Sequence, residues 1–133
     1  MLFKNGYIFT EGGFVHGSFR VENGRFTEVL PFVPEEEGAD LQDSYVIPGL
    51  VDVHIHGACG GDFSDGNYDA LVTMAKYLAQ KGVTAFAPAS MTLPYDVLEQ
   101  AFATGKKFCE EKPENASRLM GVHMEGPFFS EKK

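Results

Sequence analysis

The stretch Leu50-Val51-Asp52-Val53-His54-Ile55-His56-Gly57 decides how the rest of the chain reads. From Leu50 to Ile55 it is an apolar run of strand length, interrupted only by Asp52 and His54, as in a strand buried on both faces of a parallel sheet. Side chains alternate along a strand, so His54 and His56 point to the same face, stacked within reach of one ion through two neutral imidazole nitrogens. Two histidines can also satisfy hydrogen bonds inside a sheet or sit on its surface. Coordination is the stronger reading, because two of the chain's four histidines fall at this spacing and the loose loop Gly57 to Gly61 follows directly.

Toward the C-terminus the pattern alternates strand and helix. Asn67 can cap a helix running to Lys81, with Leu71, Met74, Ala75 and Leu78 on one stripe and Gly82 placed to end it. Val83 to Ala87 forms a strand, Pro94 opens a second helix burying Leu98, Ala101, Phe102, Phe108 and Cys109, and Leu119 to Met124 forms a third strand. This order implies right-handed crossovers and a parallel sheet, so this part is α/β. The third strand runs out in His123-Met124-Glu125-Gly126-Pro127-Phe128. Glu125 would leave the sheet at the C-terminal rim, beside His54 and His56, where folds of this kind assemble their sites. Gly126 and Pro127 turn the chain at once and hold the carboxylate on a stiff corner. Taken alone, a strand-terminal glutamate is more often a solvated end. His123 shares the parity of Glu125 and is a candidate for orienting that carboxylate or touching substrate, although a packed, hydrogen-bonded histidine fits as well. Cys59 reads as a small loop residue, and nothing recommends His16 as a ligand.

Toward the N-terminus the chain reads as short alternating strands, from Leu2 to Thr10, Phe14 to Glu22 and Arg25 to Leu30. Asn23-Gly24 is a strong hairpin signal, because both central positions of a type I′ turn need positive φ. From Pro31 to Asp43 the composition turns to proline, glycine and acid, without periodicity, and a solvated linker is expected.

Composition narrows the function. Nineteen acidic against eleven basic residues give a formal charge of −8, which repels a phosphate backbone and argues against nucleic acid. No apolar run approaches the roughly 20 residues that cross a bilayer, and no leader pattern opens the chain, so neither membrane insertion nor export is expected. Two cysteines, Cys59 and Cys109, are too few for a disulfide scaffold and fit a cytoplasmic protein.

The stretch from Val46 to Gly57, with its Pro48-Gly49 and His-x-His, resembles the opening of the metal-dependent amidohydrolase superfamily, in which a small β-sandwich precedes a β/α barrel. The segment His123 to Phe128 resembles the signature of N-acetylglucosamine-6-phosphate deacetylases, and Gly57-Ala58-Cys59-Gly60-Gly61-Asp62-Phe63 is similar to the glycine-rich loop after their first barrel strand. A complete eightfold barrel takes roughly 250 residues, so the resemblance implies a piece of one. Residues 1–45 would be the N-terminal part of the β-sandwich with its linker. Residues 46–133 would be the N-terminal part of the barrel, its first three βα units.

The resemblance implies that Glu125 binds a principal metal while His54 and His56 bind a second. One or two divalent ions are expected in the full-length parent, whether zinc, iron, manganese or cobalt, since these ligand types discriminate little. The implied reaction is hydrolysis of N-acetylglucosamine 6-phosphate to glucosamine 6-phosphate and acetate, with an amino sugar phosphate as partner. Two further histidine ligands and the aspartate acting as general acid and base would lie after Lys133. The chain itself is therefore expected to be an inactive fragment with no catalytic residue of its own.

Two rivals remain open. One is another amidohydrolase, of the dihydroorotase or adenine deaminase type, against which the Glu125-Gly126-Pro127-Phe128 turn argues. The other is a non-catalytic module whose open sheet edges pair with another copy, since unpaired strand edges must be covered. Homo-oligomerisation is expected on that ground.

Overall fold

The computed structural model describes residues 1–132, and the chain divides into two units, Met1–Pro48 and Gly49–Lys133.

The first unit is a four-stranded sheet in the order β3-β2-β1-β4. Strands β1 (Leu2–Thr10), β2 (Gly13–Glu22) and β3 (Arg25–Leu30) form antiparallel hairpins. The turn between β2 and β3 has Asn23 at φ 50° and Gly24 at φ 73°, the positive pair that the sequence required. Phe19 stacks on Phe3 with ring centroids 4.9 Å apart and lies 5.0 Å from Phe26, so one sheet face is aromatic.

The expected linker from Pro31 to Asp43 is only partly a linker. Its last residues enter β4 (Ala39–Val46), which pairs in parallel with β1, Phe3 opposite Ala39 and Tyr7 opposite Tyr45. The strand is polar and does not alternate, so backbone pairing and not side-chain pattern holds it. A shared irregularity in this pairing admits Asn5, Gln42 and Asp43 at positive φ. Asp40 stabilises it by accepting the Gln42 backbone N–H at 2.8 Å and the Asn5 amide at 3.1 Å. These bonds, the backbone one foremost, hold the Asp40 carboxyl below its ordinary pKa.

The second unit is α/β. Its elements run β5 (Leu50–Ile55), a small hairpin of β6 (Gly57–Ala58) and β7 (Gly61–Asp62), a 3-10 turn over Phe63–Asp65, α1 (Tyr68–Gln80), β8 (Val83–Ser90), α2 (Tyr95–Glu111), β9 (Arg118–Leu119) and β10 (His123–Met124). Strand β8 is central, with β5 parallel on one side and β9 and β10 parallel on the other. The expected third strand is thus two short pieces, interrupted at Met120–Val122, and no helix follows it among the described residues.

Local chemistry sets the helix ends. Asn67 accepts the Ala70 N–H at 3.1 Å as the cap of α1, and Gly82 follows the helix at φ 80°. The buried stripe Leu71, Met74, Ala75 and Leu78 packs with Ala101 and Phe108 of α2 around Phe86, the centre of the core.

Two expectations change. Strand β5 is not buried on both faces: Leu50 and Val51 are each 53% exposed and Val53 65%. It is an edge strand whose ladder partner is β8, so its apolar run is only half covered. Cys109 is exposed and not part of the α2 stripe, because Gly105 and Phe108 take the inward positions.

Candidate metal centre

The three parallel strand positions of the second unit end on the same side, and their loops carry the site. His54 lies within β5 and His56 directly beyond it, while Glu125 follows β10. Asp52 starts the arrangement by accepting the His54 backbone N–H at 3.1 Å. The His54 and His56 rings face each other at 5.1 Å with planes 78° apart, which turns their Nε2 atoms together.

Those atoms and one carboxylate oxygen make a nearly equilateral triangle. His54 Nε2 is 3.3 Å from His56 Nε2, and Glu125 Oε2 is 3.3 Å from each of them. Tetrahedral donors at metal distances of about 2.0–2.1 Å stand about 3.3–3.4 Å apart, so the triangle has the edge length of one face of such a shell. As hydrogen bonds the same separations are long, because charge-assisted N–H···O pairs close to about 2.7–2.9 Å. Two neutral imidazoles and one carboxylate also match the donor set that borderline divalent cations take. The residues present fit a divalent cation. The side chains remain one-third to one-half exposed, which leaves an open side from which a further ligand can approach.

Of the residues singled out from sequence, His54, His56 and Glu125 come together, and they form one group of potential ligands among the described residues. His123 stands next to this group and not in it: its ring centroid is 4.3 Å from that of His54, with planes tilted by 56°. Cys59 sits at φ 57° in the loop after His56 and faces solvent. His16, in the first unit, bonds Asp43 Oδ1 at 2.9 Å and Asn5 Oδ1 at 3.2 Å through Nε2. The Nδ1 atom of His56 is buried and has no protein partner among the described residues.

Sequence reasoning missed the polar groups that fix the loops. The Phe63 N–H donates to the His56 carbonyl at 2.8 Å. Ser64 accepts the Met91 N–H at 2.9 Å, and the Thr92 hydroxyl donates to the Glu125 carbonyl at 3.4 Å. Hydroxyl residues in loops carry no periodic signal. Gly126, read from sequence only as a turn residue, stands at φ 84°, where a Cβ would clash with Thr92 Oγ1.

No family model matches the chain. Among curated proteins it is 31% identical over 140 residues to an N-acetylglucosamine-6-phosphate deacetylase of Bacillus subtilis (strain 168), covering 100% of this chain and 35% of that protein. It is 32% identical over 122 residues to one of Vibrio furnissii, covering 92% of this chain and 28% of the relative. The crystal structure of N-acetylglucosamine-6-phosphate deacetylase from Pasteurella multocida superposes with a TM-score of 0.83 at 26% identity, covering 98% of this chain and 35% of that one. The chain therefore spans about a third of the length of the curated relatives it matches.

Proposed function

The chain is a relative of the N-acetylglucosamine-6-phosphate deacetylases over about a third of their length, and from that premise we propose that it forms part of a metal-dependent deacetylase of N-acetylglucosamine 6-phosphate. The observation that carries the reading is the triangle of His54, His56 and Glu125 at the C-terminal end of parallel strands. That end of a β/α barrel is where catalytic groups gather. The two strand–helix pairs and the following strand are then the beginning of such a barrel, and the preceding sheet belongs to a small β-sandwich.

His54 and His56 would hold a divalent cation through their neutral Nε2 atoms, and Glu125 would contribute the one negative charge. The resemblance divides these residues between two ions, whereas their common separations support a single shared one. When bound, the cation supplies Lewis acidity and lowers the pKa of a coordinated water, the nucleophile that amide hydrolysis needs. The chain's own part is to fix the three donors and leave one side of the triangle open. Among the described residues no aspartate joins the group, and the aspartate that the resemblance implies as general acid and base belongs to the part of the relatives' length that this chain does not span. By itself the chain is read as inactive.

The exposed thiols Cys59 and Cys109 fit a reducing compartment, and the reading is a cytoplasmic protein. No helix among the described residues is long and apolar enough to cross a membrane. The uncovered edge of β5, with Leu50, Val51 and Val53 exposed, supports self-association of the isolated chain.

The test is a hydrolysis assay on the longer product of the reading frame, if that frame continues past Lys133, with N-acetylglucosamine 6-phosphate, dihydroorotate and adenine as substrates. Release of acetate from the sugar phosphate is expected. Turnover of either nitrogen heterocycle without deacetylation would replace this reading by the rival one.

A further inference from the structure

Strand β8 is central to the sheet, yet it contributes none of the three candidate ligands. Its end supplies something else. The residue after it, Met91, donates its backbone N–H to the Ser64 hydroxyl at 2.9 Å, and the next, Thr92, donates its hydroxyl to the Glu125 carbonyl at 3.4 Å. Ser64 adjoins Phe63, whose N–H holds the His56 carbonyl at 2.8 Å. Two short hydrogen bonds, at Phe63 and Ser64, and one long contact from Thr92 thus link the backbones of the two candidate ligands through the neighbouring pairs Phe63-Ser64 and Met91-Thr92, across the end of the strand that separates them.

Each link is itself fixed. Ser64 is 6% exposed, and its own N–H donates to Asp62 Oδ1 at 2.7 Å, while the Asp62 N–H donates to Asp65 Oδ2 at 3.0 Å. This reciprocal capping pins the turn that presents the hydroxyl. At the other end, Gly126 leaves room for Thr92: a Cβ there would meet Thr92 Oγ1 at 2.2 Å. Ligand geometry tolerates errors of only about 0.5 Å, so loops that carry ligands need such ties.

We propose that Ser64 and Thr92 are positioning residues that register the His56 and Glu125 loops against the end of β8, so that the donor triangle is assembled before any ion arrives. The proposal rests on the metal reading above and goes beyond it by assigning two residues that are not ligands.

The test has two independent arms on the 133-residue chain. In the metal-free chain, amide hydrogen exchange at Phe63, which reports the tie to His56, is expected to speed up tenfold or more in Ser64→Ala. Unchanged exchange there overturns the proposal whether or not metal binds. In the second arm Co2+ is titrated and followed by its visible absorption. Affinity is expected to fall about 10–100-fold in Thr92→Val, the loss typical of groups that orient ligands, and to recover in Thr92→Ser. Parent-like Co2+ affinity in Thr92→Val, or a loss that Thr92→Ser fails to reverse, overturns the role of Thr92. A parent chain that takes up no Co2+ defeats the metal reading instead, and the exchange arm still decides the tie.

Discussion

Glu125 Oε2 stands 3.3 Å from His56 Nε2, although the two residues belong to loops on opposite sides of the central strand β8. The approach brings a carboxylate to an imidazole pair that one strand already presents. All three candidate donors thus lie in the second unit, and on the proposed metal reading affinity depends on keeping that approach intact.

Replacing Glu125 by Gln keeps the size and removes the charge. Co2+ affinity of the chain is expected to fall by about 100-fold or more, since loss of a ligand exceeds the 10–100-fold typical of outer partners. His54→Ala should act similarly. Calorimetric titration checks this, and parent-like binding by Glu125→Gln would remove the carboxylate from the ligand set.

A cation bound only by the folded state stabilises it by mass action. At a free Zn2+ concentration about 100 times the dissociation constant, the second unit is expected to gain about 2.7 kcal/mol. Chelation should reverse the gain. Urea unfolding followed at residues of the second unit, with and without Zn2+, checks this.

Phe86 is fully buried on β8 and meets Phe108 edge-on at 6.2 Å. Phe86→Ala is expected to cost about 3–5 kcal/mol through lost burial and the cavity left behind. Val53→Ala on the exposed edge, where the side chain is 65% accessible, should lie within about 0.5 kcal/mol of the parent. Equal losses in denaturant melts would contradict the edge position of β5.

The phenol of Tyr68, the first residue of α1, is pushed up to about 12 chiefly by the nearby Glu111 carboxylate, which favours the protonated form, and then by desolvation. The Lys107 ammonium lies 4.2 Å from its ring centroid. The folded state holds the phenolic proton more tightly than the unfolded chain, whose tyrosines titrate near 10. The resulting contribution to stability is complete below about pH 10 and is lost as pH rises through about 12. Ultraviolet titration should show a late-ionising tyrosine that disappears in Tyr68→Phe and moves down in Glu111→Gln.

Much of this architecture was legible because local chemistry and tertiary structure agree. Asn23-Gly24 could hardly do anything but turn, and the Asn67 cap with its apolar stripe marked α1 to within a residue. The meeting of His54, His56 and Glu125 followed from strand alternation and from parallel strands ending on one side. Strand β4 was hidden because its stability lies in backbone pairing with β1 and its side chains show no pattern. The exposure of β5 was hidden because a continuous apolar run shows that faces are meant to be covered, not which ones are. Ser64 and Thr92 were invisible for another reason: a hydroxyl's partner is chosen by the fold, and neither residue type nor spacing announces it.

The donors are unevenly distributed along the polypeptide. Both imidazoles come from one short strand and the residue just past it, whereas the carboxylate arrives only after two helices and two more strand positions have been laid down. During synthesis, or in any partly unravelled form, the histidines would present a bare pair with weak hold on an ion. On the proposed metal reading, tight retention would begin only when the segment carrying Glu125 docks, so metal uptake would report the docking of that segment onto the sheet.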